Sequence, residues 1–308
     1  MSGIGLSKTV EVLKSHVLSQ LDLRRERPLF VALQGPQGSG KSWVSGELQK
    51  ELGKGTDALR VVVLSIDDLY LPHSGLVSFA NSHTHNRLLQ GRGQPGTHDI
   101  GLGIEILSGL KVGRDKVRLP RFDKSRFNGE GDRVPVEDSP VVEQPPRVDV
   151  VIVEGWCVGF RSLSDQELSA RWETWEQERT KLEIPEELCT LRDIQEINES
   201  LKQYDALWDF FDVFVQAGLG LPPSAAEGRS RYSIIYQWRL EQEHYMKAKN
   251  GGIGMSDQAV KAFVDRYIPG YVFFAGAGSS SSGAKNTPNL ILILDESRKL
   301  LEMVQTSP

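Results

Sequence analysis

The stretch Gly35-Pro36-Gln37-Gly38-Ser39-Gly40-Lys41-Ser42 narrows the possible folds more than any other part of the chain. It follows the apolar run Leu29 to Leu33 and precedes a helical pattern over residues 41–52. A short apolar run ended by turn residues reads as a buried strand, and the valine-rich run Arg60 to Ile66 reads as a second. Strand, glycine loop, helix and strand within about 40 residues form a βαβ unit, which implies a parallel sheet. The pattern G-x-x-x-x-G-K-[ST] turns backbone N–H groups inward around phosphate oxygens, and the helix aims its positive end at the same anion. In such a loop Lys41 reaches the β- and γ-phosphates and the Ser42 hydroxyl ligates Mg²⁺. The bland alternative is a glycine turn with no ligand. Its position between a strand and a helix favours nucleotide phosphate.

Strands and helices alternate beyond this unit. Helical patterns cover Met1 to Arg25, Ile100 to Leu110, Ser164 to Leu182, Thr190 to Trp208, Arg231 to Lys249 and Ser256 to Tyr267. Val10, Leu13, Val17, Leu18 and Leu21 share one face of the first. Further strands are expected at Val148 to Val153, Asp212 to Gln216 and Leu290 to Leu294, the last closing the chain with Asp295 as its turn. Gly276 to Gly283 is low in complexity and reads as a mobile loop. The expected fold is α/β, one domain over 1–308: an N-terminal helix (1–27), the phosphate loop and βαβ unit (28–71), an irregular insert (72–147), and the remaining core with C-terminal helices (148–308).

Ligands of open α/β sheets bind beyond the carboxyl ends of the strands. Asp67 and Asp68 end the second strand, and Glu154-Gly155 ends the third. Such carboxylates could hold Mg²⁺ or orient an attacking hydroxyl, although strand-end aspartates often serve only as caps or turns. A guanine-reading N-K-x-D segment and a G-x-G-x-x-G fingerprint in the first turn are both absent, which disfavours GTPase switches and dinucleotide binding.

In the insert, Arg92, His98, Arg121, Lys124 and Arg133 concentrate positive charge among turn residues. A pocket built from them suits a small anionic acceptor better than a neutral nucleoside. The whole chain, by contrast, carries a net charge of −5, so no broad nucleic-acid surface is expected. Two cysteines, Cys157 and Cys189, give neither a disulfide framework nor a C-x-x-C site and suit a cytoplasmic setting, with the nucleus left open. No apolar run reaches the roughly 20 residues that span a bilayer, and no membrane association is expected.

Taken together, Lys41-Ser42, Ser65-Ile66-Asp67-Asp68-Leu69-Tyr70 and Val153-Glu154-Gly155 resemble the uridine kinase, phosphoribulokinase and pantothenate kinase group of P-loop kinases. Gly91 to Asp99, Pro120 to Ser125 with Gly131-Asp132-Arg133, and Trp238 to Glu243 narrow the likeness to the D-glycerate 3-kinase branch and its fungal relatives, over roughly residues 28–295. That resemblance implies a P-loop NTP hydrolase fold, a Walker A loop over residues 35–42, and ATP with Mg²⁺ as cofactors. Asp67 matches the catalytic base, and Glu154 matches a Mg²⁺-site glutamate. Asp99 and Asp123 match acceptor-contacting segments, and Arg133 matches a phosphate- or substrate-facing arginine. Residues 222–231, with Arg229 and Arg231, fall where related kinases carry a lid, but no clean lid motif stands there. The expected activity is phosphorylation of a hydroxyl on a small, anionic metabolite, D-glycerate first. An ATPase or nucleotide switch acting on a partner protein is the alternative.

Four other features have ordinary readings. His83, His85 and His98 are read as polar loop histidines, not as a metal site. Cys157 is read as a packing residue, Trp172 and Trp175 as one packed helix face, and Arg239 as the helix partner of Glu243.

Overall fold

The computed structural model describes residues 6–24, 26–220, 228–249, 251–275 and 289–306. Among these residues ten strands run in chain order: β1 (Leu29–Gln34), β2 (Val61–Ser65), β3 (Lys116–Arg118), β4 (Phe122–Asp123), β5 (Asp132–Arg133), β6 (Val141–Glu143), β7 (Val150–Gly155), β8 (Val213–Leu219), β9 (Asn289–Leu294) and β10 (Leu300–Thr306). The helices are α1 (Ser7–Leu23), α2 (Lys41–Leu52), α3 (His73–Ser82), α4 (Ile100–Val112), α5 (Asp165–Lys181), α6 (Leu191–Leu201), α7 (Asp205–Trp208), α8 (Ser233–Lys249), α9 (Asp257–Asp265) and α10 (Ile268–Phe274). Six strands make one sheet in the order β2-β7-β1-β8-β9-β10. All neighbours are parallel except β9 and β10. The expected α/β architecture with a parallel sheet flanked by helices is what forms.

β1 and β7 are buried at every position, which explains their unbroken apolar runs: helices cover both faces, so neither face alternates with polar residues. After β1 the chain builds β2 and β7 on one side, then crosses to build β8 and β9 on the other. The carboxyl end of β1 is therefore a switch point, where a crevice opens. The register sets Leu33 beside Glu154, and Glu154 beside Ser65, at that end.

The insert is more ordered than its composition suggested. It holds α3 as well as α4, and two antiparallel ribbons, β3 with β6 and β4 with β5. In α3 only Leu76 is buried, so no apolar stripe announces the helix. The expected helix over 190–208 gives way after Leu201 to a 3₁₀ turn, Lys202–Tyr204, and then to α7. A further helix, α10, follows α9. The strand at Leu290 to Leu294 does not close the chain, because β10 returns antiparallel beside it. On α1, Val10, Leu13, Val17 and Leu21 are buried, whereas Leu18 turns outward at 39% exposure. The low-complexity run Gly276 to Gly283 lies outside the described residues. Among those residues no helix is long and apolar enough to cross a membrane.

Candidate active site

The phosphate loop, Gly35 to Ser42, joins β1 to α2 at the switch point. Gly38 and Gly40 hold φ of +77° and +91°, a left-handed backbone that L side chains rarely adopt. A Cβ on Gly38 would also stand 2.7 Å from that of Trp238, so α8 packs directly on the loop. No side chain caps α2, and its first turn carries no acidic residue, which leaves its positive end available to an anion. Lys41 donates to the Pro36 carbonyl at 3.0 Å, and Gln37 N–H donates to the Tyr271 hydroxyl at 3.1 Å.

Arg298, in the turn between β9 and β10, fastens the loop from outside. It is 8% exposed and donates to the Gly38 carbonyl (2.6 Å), the Glu241 carboxylate (2.7 Å) and the Trp238 carbonyl (3.2 Å). Arg298→Met keeps the stem and removes these bonds. A hydrogen bond to a charged group is worth about 1.5 kcal/mol at the low end, so affinity for the phosphate-bearing nucleotide expected at this loop should fall roughly tenfold. Nucleotide-binding titration would measure it, and an unchanged affinity would show the contact to be dispensable.

Two carboxylates face the loop. Glu154 is almost fully buried and accepts the Ser42 hydroxyl at 2.8 Å. Burial pushes its pKa up, and Lys41 opposes that shift. Asp67 lies in the short 3₁₀ turn Ile66–Leu69 that follows β2. Tyr70 donates to its Oδ1 at 3.0 Å and Lys124 to its Oδ2 at 2.5 Å. Burial alone would raise the Asp67 pKa, but the charge and hydrogen bond of Lys124, aided by His98 and Tyr70, hold it at about 2. Burial pushes Lys41 down, and Glu154 and Asp67 both pull it back up. Lys41, Ser42, Asp67 and Glu154 thus form one electrostatically coupled group.

The insert residues divide into two sets. Lys124 bonds to Asp67, His98 stacks on Tyr70 with ring centres 4.5 Å apart, and Arg92 lies within charge range of Lys124. The Arg92 guanidinium sits 5.8 Å from the centre of the Phe122 ring and donates to the Gly129 and Glu130 carbonyls. The other set anchors the β4–β5 ribbon. Arg121 pairs with Asp68 at 3.1 Å, and Phe122 N–H donates to the same carboxylate at 3.0 Å. Arg133 donates to Asp99 (3.2 Å) and to the Tyr70 carbonyl (3.1 Å), while Asp99 also caps α4 through Leu102 N–H (3.0 Å). Asp123 turns into its own loop, accepting Ser125 Oγ at 2.6 Å.

His98 corrects the expected charge of this pocket. Burial pushes its pKa down to about 4, so near neutrality it is an uncharged ring. Gly96 N–H donates to the Tyr204 hydroxyl (3.0 Å), and that hydroxyl and His98 Nδ1 share a hydrogen bond of 2.6 Å. His98 Nε2 is buried and has no hydrogen-bond partner among the described residues.

The sequence gives no local sign of Arg298, Tyr271 or Tyr204, each of which meets its partner more than 100 residues away. Tyr70 could have been found, since it stands three residues after Asp67. The three histidines do not converge. His85 lies near Asp193 and Glu196, but Asp193 closes the capping box of α6 and Glu196 accepts Asn86. Cys157 is fully buried, and so is Trp175, while Trp172 packs on the same core. Arg239 pairs with Glu243 at 2.8 Å. Arg229 and Arg231 are exposed, and residues 222–227 between them and β8 lie outside the described set.

No family model matches the chain. It is 32% identical over 302 residues to the probable ATP-dependent kinase TDA10 of Saccharomyces cerevisiae, covering 96% of this chain and 94% of that one. Over 296 residues it is 34% identical to the uncharacterized kinase mug58 of Schizosaccharomyces pombe, covering 94% and 97%. The solved structure of D-glycerate 3-kinase from Cryptococcus neoformans var. grubii superposes with a TM-score of 0.83 at 36% identity, over 97% of this chain and 99% of that one. Fold and site therefore define an ATP-dependent small-molecule kinase of the P-loop class. The chain belongs to the glycerate-kinase-like family of these enzymes, the D-glycerate 3-kinase branch.

Proposed function

We propose that this kinase transfers the γ-phosphoryl group of ATP to a hydroxyl of D-glycerate or a close anionic relative. The observation that carries the reading is the position of Asp67, coupled to Lys41 of the phosphate loop on one side and paired with Lys124 of the insert on the other. A carboxylate between a triphosphate cradle and a cationic pocket is where an acceptor hydroxyl would meet the γ-phosphate. The name of the Cryptococcus relative adds weight to D-glycerate.

Lys41 and the loop amides would hold the β- and γ-phosphates. Ser42 and Glu154, 2.8 Å apart, offer only oxygen donors, and that set suits Mg²⁺ held directly or through water. When bound, Mg²⁺ supplies charge neutralisation at the phosphates. Asp67 would orient the acceptor hydroxyl and take its proton. Little proton transfer is needed early if the transition state is loose, so a carboxylate of low basicity suffices.

Purified protein with Mg·ATP and a panel headed by D-glycerate, with L-glycerate and glycerol, tests the assignment. Phosphorylated D-glycerate formed alongside ADP is expected. ADP release with no phosphorylated product from any member would instead favour hydrolysis coupled to a protein partner.

A further inference from the structure

Both oxygens of Asp67 are engaged, Oδ1 by the Tyr70 hydroxyl and Oδ2 by the Lys124 ammonium. Lys124 is held in place by its ribbon. Phe122 and Arg121, just before it, are bonded to Asp68, and Phe122 packs edge-on against Tyr70 with ring centres 5.2 Å apart. From that fixed point Lys124 makes one ion pair among the described residues, with Asp67, and its side chain is 54% exposed. Among the described residues its ammonium donates only to Asp67, which leaves two of its three protons for another acceptor. The neighbouring cation Arg92 adds positive potential there.

Resting on the kinase reading above, we propose that Lys124 is both the receptor for the acceptor's carboxylate and a latch on the catalytic base. An anionic acceptor exchanges one carboxylate for another at Lys124, so the swap costs little net charge separation. The exchange frees Asp67 Oδ2 to face the acceptor hydroxyl. That hydroxyl oxygen then bonds to the γ-phosphorus as the bond to the β-bridging oxygen breaks. ADP leaves with that electron pair, and the hydroxyl proton passes to Asp67. Without an anion the latch stays closed, and water cannot use the same base. An uncharged polyol leaves it closed too. The device would therefore select an anionic acceptor and suppress wasteful hydrolysis together.

Lys124→Met should raise the KM for D-glycerate roughly 10- to 100-fold, the span of a lost charge-assisted bond, and leave the KM for ATP unchanged. It should also narrow the preference for D-glycerate over glycerol and raise acceptor-independent ADP release. Lys124→Arg should recover part of the acceptor affinity. A fall in kcat alone, with the KM for D-glycerate and basal ADP release as in wild type, would overturn the proposal. A second measurement uses the wild-type enzyme and needs no variant to fold. Propanoate, a carboxylate with no hydroxyl to phosphorylate, should stimulate ADP and phosphate release at concentrations that compete with D-glycerate, and glycerol should not. Absence of stimulation there would overturn the latch. If D-glycerate is phosphorylated but these readouts fail, only the latch falls. If no anionic acceptor is phosphorylated, the kinase assignment to D-glycerate falls with it.

Discussion

Asp67→Asn is expected to reduce kcat by roughly 10²- to 10⁴-fold, the usual contribution of a positioned general base. Asparagine keeps the size of the side chain and one oxygen for Tyr70, but it cannot take a proton. The geometry of the phosphate loop should hold, because among the described residues none of its hydrogen bonds runs to Asp67. The KM for ATP should therefore stay near that of wild type. A loose transition state would place the loss toward the lower end of the range. Near-normal transfer by this variant would remove Asp67 from the base role.

Lys41→Ala should fail differently. The ammonium lies in the field of both Glu154 and Asp67, and it alone among the loop's side chains can reach both a β- and a γ-phosphate oxygen. Its loss deprives the transferring group of a preorganised positive charge, an effect of about 10²- to 10³-fold in kcat for a single electrostatic donor. ATP binding should weaken at the same time, since the ground state uses the same charge. The two variants are thus separated by the KM for ATP: raised for Lys41→Ala, unchanged for Asp67→Asn. Initial-rate kinetics against ATP at fixed acceptor would distinguish them. Retained ATP affinity in Lys41→Ala would mean that the loop amides alone hold the nucleotide.

The parts of this site that local sequence could reveal are those built by a single βαβ unit. A strand, a glycine loop and a helix specify where phosphate goes, because the backbone itself makes the cradle. The carboxylates at the ends of β2 and β7 follow from parallel pairing, which brings the carboxyl ends of β1, β2 and β7 to one edge. Other features depend on contacts that no local pattern encodes. Arg298 reaches Gly38 across 260 residues. β10 was not foreseen, because an edge strand with only Leu300 buried shows no regular alternation of apolar residues. His98 was counted as a cation, because sequence shows the residue type and not the burial that discharges it. Arg121 and Arg133 carry the expected charge, yet they spend it on Asp68 and Asp99 and so build the wall that presents Lys124.

Phosphoryl transfer to an anionic hydroxyl acceptor is expected to run through Asp67. Phosphorus NMR of Mg·ATP and D-glycerate turned over by wild type and by Asp67→Asn tests it most directly. One phosphorylated glycerate per ADP from wild type, and almost none from the variant, is the result this account requires. ADP and inorganic phosphate without a phosphorylated acceptor, or equal product from both proteins, would contradict it.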